Sequence, residues 1–105
     1  MQRSPISDAV PNAPRVTYTA PEGSESKAVN ALSPKLKDPG SLQIRNVVAK
    51  GVSPDPSKWA LCGEYNAKNG FGGYVGFQRF AVIDDKAYSS GDEIQNIMVV
   101  ALCGE

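Results

Sequence analysis

The chain has 105 residues, 41% hydrophobic and 21% charged, with 11 Lys and Arg against 11 Asp and Glu. That is one domain of ordinary globular composition, and its neutral balance sets up no long-range field toward DNA, RNA or anionic lipid. There is no histidine and there are only two cysteines, which excludes His-based nucleophile and general-base systems, His-ligated zinc and four-thiolate metal sites; no metal or cofactor is expected.

Met1 to about Gly23 contains Pro5, Pro11, Pro14 and Pro21 with few apolar side chains between them. Proline cannot donate to a ladder and restricts the residue before it, so residues 1–23 read as an extended or disordered arm. Arg15-Val16-Thr17-Tyr18-Thr19 is its one β-prone patch, able to add an edge strand. The arm has no hydrophobic signal core, as expected where an export signal has been replaced by an initiator methionine. Residues 24–105 form the folded domain. Ser24 or Ser26 is placed to cap a helix carrying Val29, Leu32 and Leu36 at helical spacing, which Pro34 should end or restart. Asp38-Pro39-Gly40 stops it with turn chemistry.

Leu42 to Lys50 alternates as a strand, Gly51 to Lys58 is a loop, and Trp59 opens a second strand running to about Lys68. Asn69-Gly70 is a strong signal for a two-residue type I′ hairpin turn, with positive φ at both residues. In that register Tyr65 falls opposite Tyr74 and Gly63 opposite Gly76. The return strand runs from Phe71 to about Ile83 and ends at Asp84-Asp85. Ile97 to Leu102 is a continuous apolar run with β-branched members, expected as a buried strand. The fold class is α+β: one N-terminal helix on a mainly antiparallel sheet of about four strands. No apolar run is long enough to span a membrane.

Gly70-Phe71-Gly72-Gly73-Tyr74-Val75-Gly76 invites a phosphate-loop reading. It lacks a glycine at Val75 and does not follow a strand into a helix, so that reading fails. Strand glycines instead mark places where a ring or a backbone lies close. Phe71, Tyr74, Phe77 and Phe80, with Tyr65 and Trp59, form an aromatic cluster that reads mostly as core. Because Phe77 and Phe80 point to opposite faces of a regular strand, part of it is expected to be exposed. Trp59, Tyr65, Phe71, Tyr74 and Phe77, with Arg79, are the candidate binding surface.

Both cysteines fall in copies of "ALCGE", at residues 60–64 and 101–105, whose flanks do not match, so the likeness is local rather than a repeat. Each cysteine is alone in its segment, which excludes a CxxC redox pair. One disulfide or two free core thiols remain. In the disulfide reading Cys62 and Cys103 lie on neighbouring strands.

"LKDPGSLQIRNV" (Leu36 to Val47) and "CGEYNAKNGFGGYVGFQRF" (Cys62 to Phe80) resemble a family of small proteobacterial proteins, usually predicted to be exported or lipid-anchored. The shared patterns are L-K-D-P-x-S-x-x-x-R-N-V and C-G-E-x-N-x-K-N-x-x-G-G-Y-x-G-F. Tyr65 stands where a small aliphatic residue is common, and the Pro-rich arm and the "ALCGE" ending lie outside the match. The resemblance implies an extracytoplasmic protein, periplasmic or secreted, with a structural disulfide; it carries no reaction.

The leading expectation is a non-enzymatic binding protein, inhibitor- or immunity-like or an envelope accessory. Its partner is a protein or another component of the cell envelope, and no nucleic acid is involved. The alternative is a small cell-wall or carbohydrate-active enzyme using Glu64. Of the carboxylates Glu64, Asp84, Asp85 and Asp92, no two are spaced to face each other across a sugar-binding cleft.

Overall fold

The computed structural model describes residues 15–104, and the part of the Pro-rich arm before Arg15 lies outside them. Five antiparallel strands form one sheet in chain order: β1 (Val16–Tyr18), β2 (Gln43–Gly51), β3 (Ala60–Asn66), β4 (Gln78–Ile83) and β5 (Lys86–Ser89). Among the described residues two α-helices complete the α+β fold, α1 (Ser24–Leu32) and α2 (Glu93–Cys103). The β-prone patch, expected as part of an extended or disordered arm, is instead an edge strand of the sheet, with Val16 opposite Gly51 and Tyr18 opposite Ala49.

Alternation along the strands divides the core into two layers. On one face Ala49, Leu61, Phe80, Val82 and Ala87 pack under Ala28 and Leu32 of α1. On the other, Ala60, Cys62 and Ala81 pack under Val99 and Cys103 of α2. Facing residues agree with this division, since Leu61 pairs with Val82 and Cys62 with Ala81. Both faces of the central strands are therefore covered, which is why β3 and β4 carry runs of buried residues rather than strict alternation.

Helix α1 follows Gly23, whose φ of 86° places it in the left-handed region. No serine side chain caps it: Ser24 is its first residue, and its hydroxyl donates to the Pro21 carbonyl. Pro34 sits in the first turn of a short 3-10 segment, Ser33–Lys35, that follows α1 directly, so proline ends one helix and opens the next turn.

Ile97 to Leu102 lies in a helix, not in the expected strand, and the sheet takes its fifth strand from Lys86–Ser89. Asp92 decides this locally. Its carboxylate accepts hydrogen bonds from the Ile94 and Gln95 amides at 2.9 and 3.0 Å, an N-cap that satisfies two otherwise orphaned donors. Gly104, at φ 85°, closes the other end with its amide donating to the Val100 carbonyl.

The type I′ turn also lies elsewhere. Asp84 and Asp85 hold φ of 52° and 64° between the paired residues Ile83 and Lys86, as a two-residue I′ hairpin requires. Neither Asn69 nor Gly70 has positive φ. Strand β4 starts at Gln78, so Tyr65 pairs with Gln78 and Gly63 with Phe80, four residues beyond the expected partners. Gly63 is where a ring lies against the backbone: a Cβ there would sit 3.0 Å from the Phe80 ring and 3.1 Å from the Arg45 carbonyl.

Cys62 and Cys103 form a disulfide with Cα atoms 5.9 Å apart. It joins β3 to the last turn of α2 rather than two neighbouring strands.

Candidate binding surface

Between β3 and β4 the chain makes a loop, residues 67–77, that turns its large apolar side chains outward. Phe71 is 98% exposed, and Tyr74, Val75 and Phe77 are also exposed. Exposing three rings and a valine from one short segment runs against the apolar effect.

Polar residues hold this loop from within. The Asn69 carboxamide oxygen accepts from the Phe71 amide at 2.8 Å and the Gly73 amide at 3.2 Å, while the Asn69 amide donates to the Gly73 carbonyl at 2.8 Å. This side-chain-closed turn replaces the expected I′ hairpin, because an asparagine oxygen competes well for nearby amides. At the loop's end the buried Asn66 accepts from the Gly76 amide at 3.1 Å, and Gly76 has φ 103°.

The short turn Pro39–Ser41 braces the loop from outside. The Ser41 hydroxyl accepts from the Lys68 amide at 2.8 Å, and its carbonyl accepts from the Tyr74 hydroxyl at 3.0 Å. The Arg45 guanidinium lies 3.6 Å from the centre of the Phe77 ring, a cation–π contact that fixes the ring's position.

Arg45 belongs to a second cluster next to the loop. Its Nε donates to Glu64 Oε1 at 2.8 Å, and Asn46 Nδ2 donates to the same oxygen at 2.9 Å. Asn46 reaches it because β2 bulges between Arg45 and Val48, putting Asn46 at φ 59°. These hydrogen bonds, from Asn46 first and then Arg45, hold the Glu64 carboxyl below the usual glutamate range. Beside them opens a shallow hollow of about 340 Å³ lined by Asn46, Lys50, Glu64 and Arg79, with the disulfide at its wall. Arg79 donates to the Gly104 carbonyl at the end of α2.

Of the residues expected on the surface, the structure brings Phe71, Tyr74 and Phe77 together and sets Arg79 nearby across the Glu64 cluster. Trp59 and Tyr65 are elsewhere, in the layer under α1. Trp59 stacks on Tyr18 with centroids 4.2 Å apart, and its Nε1 donates to the Ser53 carbonyl. Tyr65 tilts against Phe80, with its hydroxyl bonded to Gln78 and Ser89. Composition and spacing do not single out the supporting polar residues Ser41, Arg45, Asn46 and Asn66, and they mark Asn69 only as a turn residue. Every one of them lies within the two motif stretches, and that was their signal.

Among the described residues no three acidic or cysteine side chains converge as a metal site, and no helix is long and apolar enough to cross a membrane. No protein-family model, curated protein or solved structure matches this chain. A functional reading therefore rests on its own residues.

Proposed function

We propose that this is a non-enzymatic binding protein of an extracytoplasmic compartment that engages a protein partner of the cell envelope through the 67–77 loop. One observation carries the reading. Ser41, Arg45, Asn66 and Asn69 hold in place a loop that leaves three rings exposed, Arg45 being fixed in turn by Glu64, which Asn46 also bonds. A solvent-exposed segment fixed this firmly has already met its ordering cost before a partner arrives, which is what tight recognition needs. Exposed aromatics are the side chains best suited to anchor it.

The disulfide supports an oxidising compartment, in line with the resemblance to exported or lipid-anchored proteins. An enzymatic reading would rest on Glu64, but Asn46 and Arg45 occupy that carboxylate and lower its pKa, the reverse of what a proton donor needs. Replacing Glu64 by Gln separates the two readings, since loss of a peptidoglycan-cleaving activity would overturn the binding reading.

A photo-crosslinking residue placed at Phe71 in periplasmically expressed protein should yield a discrete adduct, while the same residue at Asp85 should not. Excess wild-type protein should compete the adduct away and Phe71→Asp should fail to do so. Equal competition by both would remove the loop from the interface.

A further inference from the structure

The outer face of α2 is apolar along its whole length. Ile94 is 78% exposed and Ile97 68%, and Met98 and Ala101 continue the same line at helical spacing (i, i+3, i+4, i+7). Val99 and Cys103 point the other way, into the sheet. From Ile94 to Gly104 the chain has no charged residue. A helix that is apolar on both sides is normally covered on both sides, and among the described residues nothing covers this one.

We propose that a second copy of this chain covers it, through a two-fold axis that sets α2 antiparallel against α2 of the partner copy. Two features of the helix select this occupant. First, the stripe is complementary to itself. With the axis between Ile97 and Met98, each Ile97 meets the other copy's Met98, and each Ile94 meets the small Ala101, so the larger side chain fills the space the smaller one leaves.

Second, each end presents a charged group that the opposite end of the other copy can pair with. Glu93 is exposed at the N-terminal end, where Asp92 is occupied as the cap. At the C-terminal end stands Arg79, bonded to the Gly104 carbonyl. The antiparallel arrangement brings Glu93 of each copy toward Arg79 of the other, and it opposes the helix dipoles favourably. A membrane surface is the poorer fit, because α2 has no lysine or arginine and begins on two acids, Asp92 and Glu93. At 11 residues the helix offers a small contact, and the dimer should be of micromolar strength.

Sedimentation equilibrium of the full, disulfide-bonded chain tests the proposal from low micromolar to several hundred micromolar protein. The mass should rise from monomer toward dimer. Ile97→Glu should remain monomeric throughout, with its dilute melting curve unchanged because the side chain is exposed. Glu93→Arg and Arg79→Glu should each weaken dimerisation several-fold, and the double exchange Glu93→Arg/Arg79→Glu should restore it, which a merely structural role for Arg79 would not produce. A monomer at every concentration, a dimer indifferent to Ile97→Glu, or failure of the double exchange would overturn the proposal. Co-flotation of the wild-type monomer with phosphatidylcholine/phosphatidylglycerol vesicles would do so as well, by putting a membrane on this face.

Discussion

Single residues here divide into those that tolerate change and those held on several sides. Gly63 belongs to the second kind. A methyl group would press on the fully buried Phe80 ring and on the Arg45 backbone at once, and neither gives way cheaply. Gly63→Ala should cost about 1–3 kcal/mol in a denaturant or thermal unfolding curve. Gly70 has open space and no positive φ, so Gly70→Val should leave the melting temperature nearly unchanged. Glu64 ties stability to pH. Its folded pKa lies below the unfolded value of 4.5, so its contribution is fully present above that value. It is lost as pH falls through the lower, folded pKa. Melting curves of wild type and Glu64→Gln should therefore differ near neutral pH and converge in acid. A gap that persists unchanged in acid would mean that the charge on Glu64 plays no part.

At the scale of elements, the decisive features are short side-chain caps and turns. Helix α2 depends on Asp92, whose carboxylate meets two amides; Asp92→Ala should destabilise by about 1 kcal/mol. The β4–β5 hairpin places two aspartates in the left-handed region, where glycine is at ease. Asp85→Gly should stabilise the fold by a few tenths to about 1 kcal/mol, read as a rise in the unfolding midpoint. A fall would mean that the aspartate side chain secures the turn. Both elements depart from the sequence expectation, as do the uncapped start of α1 and the late start of β4. Asn69-Gly70 is a stronger hairpin dipeptide than Asp84-Asp85 taken alone. Asn69 and the adjacent Asn66 close the loop locally, and Ser41 and Arg45 reach it from elsewhere in the chain, so it is held as a wide, closed turn.

At the scale of the whole molecule, the disulfide ties the terminal helix to a central strand across a separation of 41 residues. In the loop-entropy account such a cross-link contributes about 4 kcal/mol, a large share of a small domain's stability. Reductant should lower the melting temperature by roughly 15–30 °C, and the unreduced protein should weigh two hydrogens less than the reduced form. Two freely alkylatable thiols in protein recovered from an oxidising compartment would contradict both expectations.

The α+β class and an antiparallel sheet with β2 and β3 near their observed positions were determined by the sequence itself, through local alternation and turn residues. The α1 segment with its proline-governed end was determined in the same way. The absence of histidine likewise removed imidazole chemistry from the chain. The apolar run Ile97 to Leu102 reads alike as strand or helix when taken alone. The Asp92 cap, a local signal, starts it as a helix, and the packing of Val99 and Cys103 against the sheet is the part only the tertiary structure decided. The division of the aromatics was likewise tertiary. Trp59 and Tyr65 were taken into the layer beneath α1, whereas Phe71, Tyr74 and Phe77 were left to solvent. Composition records that a side chain is aromatic, but which face it takes depends on strand register. That register was set by the bulge at Asn46 and the start of β4 at Gln78, through partners distant in sequence.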